Sequence, residues 1–396
     1  MDLPLLLAAV EREDDDAALE LLYDATADDL AGDAAVALLA AAARAGRQRI
    51  VDHLVLWGVD VNRPWDGGVD PVTWAAENGR YRVLEALLSR SKDPLGSNSP
   101  HRRALRTARG ALSSKVGTGS EPPPAHWAVV TDLEAALGVH HSPDELMARA
   151  LVHADPDHDD WFASVFHLGL RIDRETFDWA LATAQDTSDR DRRHFALDTI
   201  THLGIGLSLS MDEDITELPF SREAEDFLRP LLSSEQDPRT LSTVIAAFAE
   251  HCSGDTIPAV LPHADHPDPH VRMTVSAILR TRTTEQREAF AALTRLADDH
   301  VSTIRTIALG FLAMSTADTP ALRAVLAAHL ADPCFDARLE AAAGLALRDD
   351  ERGLATLDVI RSGIKNMNSP GWGRLSDLTH LLRARSEAAG ATTQDH

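Results

Sequence analysis

At 396 residues the chain exceeds one compact core at roughly 100–200 residues per domain, so several domains or a repeat array are expected. With 44% hydrophobic and 25% charged residues, its composition is globular, neither disordered nor collagenous. The 62 acidic residues outnumber the 38 Lys and Arg, and the formal charge of −24 argues against whole-surface binding to nucleic acid or an anionic membrane.

Only Lys92, Lys115 and Lys365 are lysines, and the Arg-, Ala- and Asp-rich usage suggests a GC-rich, bacterial coding source. Two cysteines, Cys252 and Cys334, cannot build a disulfide framework. The start, Met1-Asp2-Leu3-Pro4, lacks a cationic leader, and no apolar run approaches the length of a membrane span. A soluble, cytoplasmic protein is expected.

In chain order, the first ninety residues repeat at a spacing of 33: Ala42 and Ala75, Gly46 and Gly79, and Leu21, Leu54 and Leu87 all fall in register. Pro71 suits a first helical turn, Gly79 a helix end, and Gly58 a positive φ at a helix C-terminus. Val83, Leu84, Leu87 and Leu88 form a helical stripe for packing on a neighbouring unit. Asp70-Pro71-Val72-Thr73-Trp74-Ala75-Ala76-Glu77-Asn78-Gly79 resembles the opening of an ankyrin repeat. The run from Ile50 to Asn62 resembles its second helix and the turn beyond. Ankyrin-like repeats are therefore expected over 1–93.

Residues 94–125 break the pattern with turn formers and with Gly117-Thr118-Gly119-Ser120-Glu121-Pro122-Pro123-Pro124, which reads as connector chemistry. Between these lies a short basic helix with Arg102, Arg103, Arg106 and Arg109, and residues 94–120 carry +5 with no acid. This segment docks on the protein's own acidic helices, binds an acidic peptide, or touches phosphate.

From 126 onward a second period appears: Arg239, Arg272, Arg305 and Arg338 are each 33 apart. The flanking Asp268-Pro269-His270-Val271-Arg272 and Asp332-Pro333-Cys334-Phe335-Asp336-Ala337-Arg338 resemble the signature of HEAT repeats of the phycobilisome-lyase-like type. An Asp-Pro pair makes a turn and N-cap, and the arginine can bridge to the aspartate of the next repeat. His167-Leu168-Gly169 and His202-Leu203-Gly204 recur 35 apart at matching helix ends. We expect a HEAT-like array over 126–386, capped by a helix near 375–385, with a tail at 387–396. The fold class expected is an all-α solenoid of stacked helix pairs, ankyrin repeats first and HEAT-like repeats after.

Phosphate-loop, dinucleotide, serine-hydrolase and zincin motifs are absent from the sequence. His194, Asp198 and His202 fall at i, i+4 and i+8 on one helical face, an acid–base candidate, with the two imidazoles about 12 Å apart along the axis. His263, His266, Asp268 and His270 form the densest histidine run and a weak metal candidate in what is otherwise a structural turn. Trp57, Trp65, Trp74 and Tyr81 crowd one ankyrin-like unit. Trp74 stands at the variable groove position that the resemblance implies, and Trp65 lies in the finger loop with Arg63 and Asp66. Exposed tryptophans of this kind are interface anchors.

These features favour a non-catalytic scaffold that binds a protein or peptide, basic in character, through a concave acidic groove, as an adaptor or immunity-type protein. The alternative is a HEAT-fold lyase or isomerase acting on a peptide or natural product held in that groove. A small ligand in the groove fits either reading. No cofactor, nucleic acid or membrane partner is expected.

Overall fold

The structure is a computed structural model that describes residues 2–12, 14–23, 29, 32–65, 67–89, 96, 99–115, 125–209, 220–252, 255–282, 287–364, 371–379 and 381. These residues are helical with short connections, and their one β-bridge joins Trp65 and Val69. The fold is the all-α solenoid type. Two compact units divide at Phe220/Ser221.

In the first unit the helices come in pairs: α1 (Leu3–Glu11) with α2 (Asp15–Tyr23), α3 (Asp33–Arg44) with α4 (Gln48–Leu56), and α5 (Pro71–Glu77) with α6 (Tyr81–Leu88). They continue as α7 (Pro100–Lys115) with α8 (His126–Ala136), α9 (Pro143–Ala150) with α10 (Asp159–Gly169), and α11 (Arg174–Gln185) with α12 (Arg190–Leu209). Second helices pack on second helices, so α4, α6, α8, α10 and α12 form a ladder. Local chemistry sets the ends. Asp70 accepts the Thr73 N–H at 2.7 Å to start α5 behind Pro71, and Ser142 and Glu145 close a capping box on α9. Gly46, Gly58 and Gly79 hold φ of 70°, 96° and 61° where helices stop, as their spacing predicts.

A single apolar cluster runs from Leu6 to Ala163 through this unit. It includes Ala104, Leu105, Ala108 and Leu112 of α7, so the expected connector contributes a core helix. The apolar stripe of α7 is buried, and two of its arginines turn to carboxylates. Arg109 Nε donates to Glu134 at 3.1 Å, and Arg103 reaches Asp70 at 3.5 Å. Of the three readings of the basic segment, docking on the protein's own acidic groups is the one seen. Gly117 to Pro124 and the 387–396 tail lie outside the described residues.

The second unit is built the same way: α13 (Ser221–Ser234) with α14 (Pro238–His251), then α15 (Ile257–Val260), extended by a 3-10 turn at Leu261–His263, with α16 (Pro269–Arg282). There follow α17 (Arg287–Leu296) with α18 (Ser302–Met314) and α19 (Pro320–Ala328) with α20 (Phe335–Ala346). Then comes α21 (Glu351–Gly363), beside a final helix over 372–379 whose Leu375 and Leu378 are buried in the terminal cluster. That helix overlaps the first part of the cap expected near 375–385, most of whose remainder lies outside the described residues.

The periodic arginines link repeats here. Arg272 donates from Nε and Nη2 to Asp299 at 2.7 and 3.0 Å, and Arg305 does the same to Asp332 at 2.9 and 2.7 Å. Each arginine also binds carbonyls of its own Asp-Pro or equivalent turn, Arg272 through His266 and Pro267 and Arg305 through Asp299 and His300. One guanidinium thus fixes a turn and the next repeat together.

The Arg305 hydrogen bonds hold the Asp332 carboxyl down at about 2, against the opposing effect of burial and with help from the Cys334 N–H and His329. A carboxyl depressed in the folded state adds stability above its unfolded value of about 3.9, which fades as pH falls toward 2. We expect Asp332→Asn to cost about 2 kcal/mol near pH 6 and much less near pH 2. Urea titrations of both proteins across this range check it, and a gap independent of pH would refute it.

Candidate functional site

The ladder of second helices carries carboxylates at successive rungs: Asp52 on α4, Glu85 on α6, Asp132 on α8 and Asp159 at the start of α10. Arg82 sits among them, 3.0 Å from Asp159 and 3.7 Å from Glu85, with its guanidinium over the Tyr81 and Phe162 rings. One cation does not balance the group. Partial desolvation first, then Asp132, Asp52 and Asp159, push the half-exposed Glu85 carboxyl up against the opposing pull of Arg82. Burial and the same carboxylates push the Tyr81 hydroxyl well above the usual phenol range. Asp52 is raised too, chiefly by desolvation.

Asp132 also borders a cleft of about 450 Å³ formed by α8, the turn after it, α9 and the end of α10. Ala135, Val139, Leu146 and Leu170 give it apolar walls, and His140, His141, His167 and Arg171 give it polar ones. His167 Nε2 lies 3.3 Å from Asp132. Behind the cleft, the buried Glu134 gathers Arg149 and His141 at 2.8 and 2.7 Å together with Arg109. Burial opposes its ionisation, but the Arg109 and Arg149 hydrogen bonds outweigh it and keep the carboxyl below the ordinary range. The cleft wall is therefore braced by the groups gathered on Glu134.

The tryptophan anchors expected from the sequence are placed differently. Trp65 is 3% exposed: its N–H to Val69 O bond at 2.8 Å folds the finger back, and its ring packs on Trp74 at 5.4 Å and beneath Arg44. It is a core residue of the finger, because closing the loop buries the ring. Trp74 and Trp57 are half-buried against the same cluster, Tyr81 is buried, and Arg63 pairs with Asp33. Asp66 lies outside the described residues. The expectation of exposure is thus corrected for Trp65 and Tyr81.

His194, Asp198 and His202 do share a face of α12. Asp198 accepts the Trp161 indole N–H at 2.8 Å and lies 3.3 Å from His202 Nδ1, while the buried His194 ring meets Trp161 edge-on at 5.4 Å. Burial pushes Asp198 up, but hydrogen bonds from His202 and Trp161 outweigh it and hold the carboxyl below its ordinary range. Burial likewise opposes the charge on His202, yet Asp198 raises its proton affinity overall. The result is a carboxylate–imidazole contact tied to a core indole, a brace between α10 and α12.

His263, His266, Asp268 and His270 do not converge. His266 Nδ1 accepts the Asp268 N–H at 3.0 Å, and Asp268 accepts the His270 N–H at 2.9 Å, so these groups build the turn into α16. Among the described residues, the three side chains close enough to share an ion are instead His153, His158 and Asp160. Their H-x4-H-x-D spacing is visible in the sequence but lies in a stretch without repeat signature. Burial, opposed by backbone N–H groups of Ala128 and Trp127 and reinforced by Asp159, raises the Asp160 carboxyl to about 7.

Comparison with known proteins agrees with the second unit's architecture. A family profile described as HEAT repeats matches residues 225–313. Among solved structures, that of YibA from E. coli is similar at 19% identity with a TM-score of 0.44, covering 55% of this chain and 74% of that one. No curated protein matches the chain.

Proposed function

We propose that this HEAT-repeat chain is a scaffold whose acidic ladder of second helices receives a basic protein or peptide segment, in an adaptor or immunity-type role. The run of carboxylates Asp52, Glu85, Asp132 and Asp159 on successive second helices, gathered around Arg82, carries the reading. Carboxylates gathered against their own repulsion cost stability that packing does not require, and an arriving cation offsets that cost. The cleft beside Asp132 would take an apolar side chain of the same segment against Ala135, Ala136, Val139, Leu146 and Leu170. We read α3–α4 and α5–α6 as ankyrin-type repeats. The Asp70 cap, the positive φ at Gly46 and Gly79, and the Trp65–Val69 finger bridge support that reading.

Calorimetric titration with an Ala/Leu peptide bearing four arginines tests the function. Binding should weaken as salt rises and fall at least tenfold, about 1.4 kcal/mol, in the Glu85→Gln/Asp132→Asn double variant. Equal binding by the double variant, or none by the unaltered chain, would overturn it.

A further inference from the structure

The segment between α9 and α10 carries two histidines, of which His158 also caps α10 by accepting the Asp160 N–H. The His153 and His158 rings stack with centroids 3.9 Å apart, and both turn a nitrogen to one carboxylate. His153 Nε2 is 3.6 Å and His158 Nδ1 3.7 Å from Asp160 Oδ2. Asp160 itself is 1% exposed. Its Oδ1 has a structural task, accepting the Ala128 N–H at 2.6 Å to cap α8, whose own N-cap residue, Ala125, has no side chain to do so. Its Oδ2 has no hydrogen-bond partner, and neither does His153 Nε2. Capping explains one carboxylate oxygen and leaves the other, with two imidazoles aimed at it, without a purpose in the fold. Buried polar atoms left unpaired cost about 1–3 kcal/mol each.

We infer that His153, His158 and Asp160 form a binding site for a divalent transition-metal ion of the zinc class. The three donor atoms all lie within 4.8 Å of one another. Tetrahedral zinc with bonds of about 2.1 Å sets its ligands roughly 3.4 Å apart, close to the two nitrogen–oxygen separations seen here. Two imidazoles and a carboxylate are a donor set suited to zinc, with a fourth position left for water. Asp160 is oriented from behind by the Ala128 N–H, the kind of outer hydrogen bond that fixes a metal-binding carboxylate. His158 Nδ1 now accepts the Asp160 N–H at 3.1 Å, so binding exchanges that one backbone hydrogen bond for a metal bond.

The experiment uses the full chain stripped with EDTA. One equivalent of Zn2+ should bind and raise the melting temperature, and Co2+ should give the visible absorption bands of a tetrahedral ion. His153→Ala should weaken zinc binding at least tenfold and abolish the cobalt bands. Its metal-free melting temperature should not fall, since Nε2 makes no hydrogen bond. Asp160→Asn keeps an oxygen for the Ala128 cap and should lose the metal equally. Zinc affinity unchanged in His153→Ala, or the absence of stoichiometric binding by the unaltered chain, would overturn the site.

Discussion

Replacing Arg348 by Ala is expected to lower the stability of the second unit by roughly 3–5 kcal/mol, because it strips several carbonyls of their donor at about 1–3 kcal/mol for each one left buried and unpaired. The side chain is 7% exposed, and its guanidinium donates to five backbone carbonyls. Nε reaches Ala317 O at 2.9 Å, Nη1 reaches Ala313 O at 3.0 Å and Gly344 O at 2.7 Å, and Nη2 reaches Leu312 O at 3.2 Å and Ser315 O at 2.6 Å. Leu312 and Ala313 belong to the last turn of α18, whose carbonyls have no partner within the helix. The chain then turns through Ser315 and Ala317 toward α19, and Gly344 belongs to α20. One planar group with five donors closes a helix end, a loop and the next repeat, which a lysine ammonium cannot span. Arg348→Lys should therefore recover less than half of the loss. Urea unfolding of the full chain, followed by circular dichroism, measures both. A loss below about 1 kcal/mol for the alanine variant would show that water replaces the guanidinium.

Arg348 also marks where sequence reading stops. Arg272 and Arg305 are legible because they recur every 33 residues beside an Asp-Pro or Asp-based turn, and their bridges to Asp299 and Asp332 follow from that register. Arg348 stands outside the period, and only the approach of α18 to α20 gives it partners. The same division holds at the sites. Helix ends at Asp70, Gly46 and Gly79 depend on neighbours within a few residues, so local spacing reveals them. Trp65 reads as exposed because it lies in a loop, and only closure of the finger on Trp74 buries it. The spacing of His153, His158 and Asp160 is local. Its meaning arises from Ala128, 32 residues away, which engages one carboxylate oxygen and leaves the other to the histidines.

The second large effect concerns Gly169, at the end of α10. A Cβ there would lie 2.6 Å from both the Cβ and the carbonyl oxygen of His202, and a Cβ on Gly206 would lie 2.4 Å from the Gly169 oxygen. Such clashes between backbones have no rotamer that relieves them, so α10 and α12 must move apart. Gly169→Ala is expected to cost about 3 kcal/mol, at the upper end for overpacking, although alanine favours a helix. The sequence pairs Gly169 with Gly204 by the 35-residue repeat of His-Leu-Gly, whereas the residue that faces it is Gly206, one further pair along α12. The coupling between the two glycines separates this account from a general dislike of alanine. Once Gly169→Ala has spread the helices, Gly206→Ala meets open space, so the double variant should cost little more than the single one. A double-mutant cycle by thermal unfolding reads this directly. Additive losses would mean that each glycine is needed for its own reason. A sub-additive result would identify a single close crossing, the one that also sets the separation at which Asp198 meets the Trp161 indole.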